Sequence, residues 1–214
     1  MTAIKICGIT RTEDALAAAH CGANAIGMVF YANSPRHVTP SRAAELMRVL
    51  PPFVMSVGLF VDAAASEVAQ TLAQARVDLL QFHGDETPEY CRRISRDCGV
   101  PYLKALRVRP GLDLLQYARD YHDAKALLLD ACVEGTHGGT GATFDWALIP
   151  KNLPLPVVLS GGLTPENVTS AIQAVRPWAV DVSSGVESSG LANKGIKDAA
   201  KIAAFVTGVR NAEV

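Results

Sequence analysis

The sequence predicts a closed (β/α)₈ barrel, and two observations lead to this fold class. Eight short apolar runs of β-like composition recur along the 214 residues, and most of them are separated by a segment with helical spacing of apolar residues. Strands that alternate with helices at this rhythm form βαβ units and a parallel sheet, and eight units favour a barrel over an open sheet. The predicted strands cover residues 3–7, 25–30, 54–60, 79–82, 102–106, 126–130, 157–160 and 180–183.

The helix starts are predicted from capping signals. A threonine can cap a helix, and a proline suits the first helical position. The first helix is expected to begin with a capping box over residues 10–13 and to end near Gly22. Three further helices are expected to begin at the pairs Thr39-Pro40, Thr87-Pro88 and Thr164-Pro165.

The sixth unit has the weakest helical signal, because only a short candidate at residues 144–148 follows its strand. Four glycines precede that candidate: Gly135, Gly138, Gly139 and Gly141. A glycine-rich stretch at the carboxyl end of a strand is costly in chain entropy and usually serves function. We therefore expect a mobile active-site loop here, and the sequence leaves open whether it closes over a ligand.

Length and composition indicate one domain over residues 1–214. Typical barrels of this class have about 250 residues and the smallest about 200, so the loops must be short. A net charge of −1 argues against a nucleic-acid or membrane partner. The first residues do not resemble a signal peptide, and no apolar run could span a bilayer. Five cysteines without metal-like spacing indicate free thiols, so a cytoplasmic location is expected: Cys7, Cys21, Cys91, Cys98 and Cys132.

Cys7 ends the first predicted strand, and barrel enzymes place their chemistry at the carboxyl ends of the strands. A buried cysteine is often only a small apolar residue, so position alone does not decide its role. The other four cysteines lie on or beside predicted helices or in a loop, and we interpret them as structural.

A phosphate site is expected after the last two strands. The seventh strand leads into Ser160-Gly161-Gly162, and the eighth leads into Ser183-Ser184-Gly185. Glycines allow backbone N–H groups to approach an anion, and barrels commonly bind phosphate in these two loops. The alternative is that the glycines only form tight turns. The presence of two such stretches favours a site that includes Gly161, Gly162, Ser184 and Gly185.

Several stretches together resemble the phosphoribosylanthranilate isomerase family of tryptophan biosynthesis. They span essentially the whole chain in order: Lys5-Ile6-Cys7-Gly8-Ile9-Thr10, Gly27-Met28-Val29-Phe30 with Ser34-Pro35-Arg36, Val57-Gly58-Leu59-Phe60-Val61, Leu80-Gln81-Phe82-His83-Gly84-Asp85-Glu86, Leu129-Asp130, Gly138-Gly139-Thr140-Gly141 with Phe144-Asp145-Trp146, Ser160-Gly161-Gly162-Leu163 and Asp181-Val182-Ser183-Ser184-Gly185-Val186-Glu187. Residues 188–198 depart from the family pattern by being slightly longer, which leaves the start of the last helix open.

The resemblance implies an Amadori rearrangement of N-(5′-phosphoribosyl)anthranilate to 1-(o-carboxyphenylamino)-1-deoxyribulose 5-phosphate, without metal or cofactor. By position it implies that Cys7 is the general base and Asp130 the general acid. It also implies that Arg36 faces the anthranilate carboxylate and that His83 and Asp181 line the site. The expected partner is a small phosphorylated substrate, and the chain is expected to be a monomer or a homodimer.

The residue types suit this chemistry. Asp130 ends a run of leucines, and a surrounding of low dielectric favours a protonated carboxyl that can act as an acid. A thiol needs help to become a thiolate, and Lys5 lies two residues before Cys7 on the same strand face. Asp181 also points inward and needs a cation, so Lys5 could serve either group. Outside the resemblance, Asp130 could be a helix-capping residue and Arg36 a surface side chain.

Other phosphate-binding barrels provide the alternatives. A metal-dependent sugar-phosphate epimerase would need a cage of several His and Asp residues at the strand ends. Only His83, Asp130 and Asp181 stand at such positions, and they are on different strands from the expected pattern. A Schiff-base aldolase would use a lysine, for which Lys104 is the candidate. The isomerase of histidine biosynthesis performs the same rearrangement, but its barrel has an aspartate at the position where this chain has Cys7. Whether this chain also accepts the aminoaldose of the histidine pathway stays open. A non-catalytic ligand-binding barrel is disfavoured by the presence of Cys7, Asp130 and both glycine loops.

Overall fold

The protein forms a closed barrel of eight parallel strands, in a computed structural model that describes residues 1–131, 144–190 and 193–212. The strands neighbour one another in sequence order, and β1 pairs with β8 to close the barrel. The predicted fold class is confirmed. The strands are β1 (Ala3–Cys7), β2 (Ala25–Val29), β3 (Met55–Phe60), β4 (Leu79–Phe82), β5 (Tyr102–Val108), β6 (Leu127–Ala131), β7 (Val157–Leu159) and β8 (Ala179–Val182).

Helices follow most strands and cover the outside of the barrel. They are α1 (Thr12–Cys21), α2 (Pro40–Arg48), α3 (Ala65–Gln74), α4 (Pro88–Cys98), α5 (Leu114–Asp120), α6 (Val168–Val175) and α7 (Ala199–Asn211). Short 3₁₀ turns occupy Trp146–Leu148 and Ser184–Val186, the first within the predicted candidate at residues 144–148. None of the helices in the described ranges has the length and apolar character that crossing a membrane requires.

Two of the predicted helix starts are confirmed. Thr39 and Thr87 each accept a hydrogen bond from a backbone N–H of the first turn, and a proline follows each of them. The third start is wrong, because α6 begins at Val168. The amide of Asn167 accepts from the Thr164 N–H at 2.8 Å and donates to the Gly162 carbonyl at 2.9 Å, which holds the chain in a turn before the helix.

The capping box predicted for α1 is also wrong. Arg11 takes the N-cap position, and its guanidinium binds Asp14 in the first turn. The hydroxyl of Thr10 instead donates to the carbonyl of Gly195 at 2.9 Å. The predicted end is confirmed, since Gly22 caps α1 in a left-handed conformation that suits glycine.

The interior of the barrel is divided into an apolar half and a polar half. Inward side chains near the amino ends of the strands form an apolar cluster of Leu103, Ala105, Ala126, Leu128, Val158 and Ala179. Toward the carboxyl ends the inward positions are polar, and they include Lys5, Gln81 and Asp181, all at most 5% exposed. Because strand side chains alternate, the neighbouring positions Ile4, Ile6 and Leu80 pack in the main core cluster instead. The polar half therefore leads directly to the mouth of the barrel.

Candidate active site

A pocket opens at the carboxyl ends of the strands, and most of the predicted site residues lie around it. Its lining includes Cys7, Arg36, His83, Asp130, Gly161, Gly162, Asp181 and Ser184. Lys5 and Gly185 are not part of this lining. Residues far apart in the sequence thus reach one cavity because all strands run in the same direction.

Cys7 projects from the end of β1 above the ion pair of Lys5 and Asp181. The Lys5 ammonium donates to Asp181 Oδ1 at 2.8 Å, and the Ser160 hydroxyl lies 3.4 Å from Oδ2. Burial raises the pKa of the Cys7 thiol; the Lys5 charge lowers it, and Asp181 raises it. Lys5 therefore serves both groups: it pairs with Asp181 and also favours the Cys7 thiolate, but burial outweighs that help.

The ammonium of Lys5 stays charged in this setting. Burial by itself would lower its pKa, yet the charges of Asp181 and Cys7 raise that pKa above the ordinary value. A permanent cation thus lies below the thiol, where an anion formed on Cys7 would be stabilised.

Asp130 lies at the end of β6 with both carboxylate oxygens engaged. Oδ1 accepts from the Ala131 N–H at 2.9 Å, and Oδ2 lies 3.1 Å from Nε2 of His83. The other ring nitrogen of His83 lies 2.8 Å from Nε2 of Gln81, which is fully buried. These contacts fix the direction in which the carboxyl faces the pocket.

Arg36 is held in the mouth by Glu187, a residue that the sequence reasoning did not single out. Its Nε and Nη2 donate to the two oxygens of Glu187 at 2.6 and 2.9 Å, a bidentate pair. Nη1 has no hydrogen bond to the described residues. The stem of Arg36 passes over Gly8, whose φ of +74° suits glycine and whose absent Cβ leaves room for that stem.

Lys197 completes this cluster from beyond the eighth strand. Its ammonium donates to Glu187 at 3.0 Å and to the Ser183 carbonyl at 3.0 Å, and its side chain is fully buried. Burial opposes the charge of Glu187, but hydrogen bonding by Arg36 and the charge of Lys197 hold its pKa below the ordinary value. In the sequence, Arg36 and Glu187 each end a stretch that carries the family resemblance, but nothing in the sequence pairs them with each other or with Lys197.

The two glycine loops meet each other beside the pocket. Gly161 and Gly162 both have positive φ, and a Cβ at Gly161 would collide with the backbone N of Ala131. A Cβ at Gly185 would collide with the carbonyl of Leu163. The glycines therefore permit close packing of the loops, and Ser184 adds a polar side chain to the lining.

The structure describes three of the remaining cysteines. Cys21, Cys91 and Cys98 lie in α1 and α4, away from the pocket lining. Cys132 and the glycines at 135, 138, 139 and 141 lie outside the described residues.

The geometry does not support Lys104 as a Schiff-base lysine. Its ammonium donates to Glu86 at 2.9 Å and to the Gly84 carbonyl at 2.7 Å, and the side chain is buried outside the barrel interior. Across the described ranges, no group of three His, Cys, Asp or Glu side chains is arranged to hold a metal ion.

Comparisons with known proteins identify the family of this chain. The family model for N-(5'phosphoribosyl)anthranilate (PRA) isomerase matches residues 4–208. An N-(5'-phosphoribosyl)anthranilate isomerase of Nitrosospira multiformis is 60% identical over 206 residues, which are 96% of this chain and 95% of that protein.

Solved structures give the same result. A phosphoribosyl anthranilate isomerase in complex with reduced 1-(o-carboxyphenylamino)-1-deoxyribulose 5-phosphate superposes with a TM-score of 0.85 at 39% identity, covering 99% of this chain and 100% of that one. Monomers generated from the dimeric enzyme of Thermotoga maritima superpose with a TM-score of 0.83 at 37% identity, with the same coverage of both chains. The chain therefore belongs to the N-(5'-phosphoribosyl)anthranilate isomerase family.

Proposed function

We propose that this chain isomerises N-(5′-phosphoribosyl)anthranilate to 1-(o-carboxyphenylamino)-1-deoxyribulose 5-phosphate in tryptophan biosynthesis, with Asp130 as general acid and Cys7 as general base. The observation that carries these roles is that both side chains enter one pocket from separate strands, each with its own polar support. An acid and a base on different strands can serve two atoms of one bound substrate.

The first step opens the furanose ring. Asp130 gives its proton to the ring oxygen while the bond between that oxygen and C1′ breaks, and the nitrogen lone pair forms the iminium. The carboxylate that results is stabilised by the Ala131 N–H and by His83.

The second step removes the C2′ proton, which the iminium has made acidic. The Cys7 thiolate takes this proton, and the C–H electrons form the enolamine, which tautomerises to the ketone. The Lys5 ammonium beneath the thiol favours the reactive thiolate. One turnover leaves Cys7 protonated and Asp130 ionised, so a proton must return from the thiol to the carboxylate. These transfers use side chains alone, and the mechanism needs neither metal nor cofactor.

Substrate binding divides between the two sides of the mouth. We assign the anthranilate carboxylate to Nη1 of Arg36, since Glu187 fixes the rest of that guanidinium. We assign the phosphate to Gly161, Gly162, Ser184 and Gly185. The N–H groups of Ser184 and Gly185 begin a 3₁₀ turn, where such groups have no acceptor within the turn.

The setting of the enzyme follows from the same features. We propose a single barrel domain over residues 1–214, because β1 pairs with β8 and α7 packs beside α1. Free thiols at the four described cysteines support a cytoplasmic location. Of the two expected oligomeric states, monomer and homodimer, the dimeric enzyme of the Thermotoga maritima relative supports the homodimer. The proposed reaction makes a small phosphorylated molecule the partner.

The direct test is the decay of anthranilate fluorescence after freshly generated phosphoribosylanthranilate is mixed with the protein. Wild type is expected to react rapidly, and Cys7→Ala and Asp130→Asn are expected to lose nearly all turnover while still binding a product analogue. Ser95→Ala, on the outer helix α4 and away from the pocket, is the control for handling of the protein. Wild-type rates in Cys7→Ala would refute the assignment of the base.

A further inference from the structure

We propose that Gln81 is a positioning residue that selects the tautomer of His83 and so keeps a hydrogen-bond donor directed at Asp130. This inference rests on the proposed role of Asp130 as general acid. Gln81 lines the pocket beside His83, and its side-chain hydrogen bond within the described residues goes to the imidazole ring.

The geometry is a short relay across the barrel interior. The Gln81 side chain is fully buried, and its Nε2 lies 2.8 Å from Nδ1 of His83. An amide nitrogen only donates, so Nδ1 must carry the lone pair in the neutral ring. The ring proton then lies on Nε2, which is 3.1 Å from Asp130 Oδ2. The relay therefore runs from Gln81 through His83 to Asp130 with every group donating in the same direction.

This orientation of the Gln81 amide leaves its oxygen atom without a hydrogen-bond partner. Oε1 of Gln81 is buried and has no hydrogen-bond partner among the described residues. A buried acceptor of this kind is unusual in proteins, and it points to a functional demand on the other end of the amide. The reversed amide would accept from a proton on Nδ1, leaving Nε2 as an acceptor and removing the donor that faces Asp130.

The consequence concerns the moment at which Asp130 loses its proton. Its O–H bond breaks, an O–H bond forms at the furanose oxygen, and negative charge grows on the carboxylate. A donor already directed at Oδ2 stabilises this charge without reorientation. With the other tautomer, the lone pair of Nε2 would face the growing charge and oppose it.

The wild-type protein provides a test that needs no variant. Nuclear magnetic resonance of protein labelled with nitrogen isotope in histidine distinguishes a protonated ring nitrogen from a bare one, and His83→Asn identifies the resonance among the five histidines. We expect the proton on Nε2 of His83 in the wild type. A proton on Nδ1 at neutral charge overturns the proposal.

Kinetics test whether Gln81 acts through His83. Gln81→Met is expected to lower kcat about 10- to 100-fold, the effect that loss of a partner that orients a metal-ligating histidine typically has, with KM little changed. In the His83→Asn background the same substitution is expected to have no further effect, because groups that act as a unit are not additive. An equal loss in both backgrounds overturns the relay.

A matched control separates this effect from packing. Leu103 pairs with Gln81 in the β4–β5 register and is buried in the apolar half of the interior, so Leu103→Met should leave kcat unchanged. Wild-type turnover in Asp130→Asn would overturn the assignment of Asp130 as general acid, whereas a proton on Nδ1 of His83 would overturn the role of Gln81 alone.

Discussion

Removal of the Lys5 ammonium should reveal how the buried ion pair supports both the fold and the base. In Lys5→Met, Asp181 keeps its charge but loses the partner at 2.8 Å, and both side chains are about 5% exposed. Breaking a buried pair by removing one partner typically costs about 3–5 kcal/mol of folding free energy. With a urea m value of about 2–3 kcal/mol per M, the unfolding midpoint should fall by about 1–2.5 M.

The double variant Lys5→Met/Asp181→Asn separates loss of the pair from loss of packing. It leaves no unpaired charge, and the Ser160 hydroxyl can still contact the new amide. Its free energy of unfolding should therefore return to within about 2 kcal/mol of wild type. A cost below about 1 kcal/mol in Lys5→Met would refute the reasoning, since the two charges would then not be desolvated.

The pH dependence of catalysis gives an independent test, because Lys5→Met and the single variant Asp181→Asn should shift the pH profile in opposite directions. The base must be deprotonated, so kcat/KM should rise with pH through the pKa of Cys7, which burial raises. Lys5→Met removes a charge that lowers this pKa, and its profile should move to higher pH. Asp181→Asn removes a charge that raises it, and its profile should move to lower pH. Profiles that move in the same direction would refute the electrostatic account.

Three further expectations concern the rest of the site. In Gly161→Ala the new Cβ would crowd Ala131 and lie 2.9 Å from Asp130 Oδ1, and the backbone φ of +84° would be strained. The displaced carboxyl should lower kcat/KM about 100-fold. An unchanged kcat/KM would contradict this packing. Arg36→Ala should raise KM about 10- to 100-fold through loss of charged hydrogen bonds, and an unchanged KM would return Arg36 to a structural role. The pKa of Glu187 is held below its usual 4.5, so the stabilising effect of this carboxylate is present above pH 4.5 and is lost as the pH falls. In urea unfolding, the free energy of unfolding of Glu187→Gln should therefore fall less between neutral and acid pH than that of wild type. An equal fall in both proteins would contradict this.

The alternation of strand side chains explains why much of the site could be predicted. Cys7 and Asp130 each end an apolar run, and in a parallel barrel all such ends meet at one mouth. Closure of the barrel then brings His83 to Asp130 across 47 residues of sequence. The sequence predicts which side chains stand at the strand ends, and closure of the barrel brings those ends together.

Contacts between loops could not be predicted in this way. Glu187 reaches Arg36 across 151 residues, and neither residue lies on a strand whose alternation would orient it. The failed capping predictions have the same origin, because the Thr10 hydroxyl donates a hydrogen bond to the Gly195 carbonyl and does not cap its own helix. The local sequence indicates which hydrogen bonds a side chain is able to form, whereas the tertiary fold determines which acceptor lies within reach.

The polar half of the barrel interior is where stability and function oppose each other. A barrel of this kind usually fills its interior with layers of branched apolar residues, as the lower cluster here does. Lys5, Gln81 and Asp181 interrupt that packing with a buried ion pair and an amide oxygen that lacks a partner. Apolar residues of similar volume would hold the strands together at least as well. Lys5 and Gln81 lie two residues before Cys7 and His83 on the same strand faces, and Asp181 pairs with Lys5. Their position is therefore explained by the thiol whose charge Lys5 supports and by the imidazole that Gln81 orients.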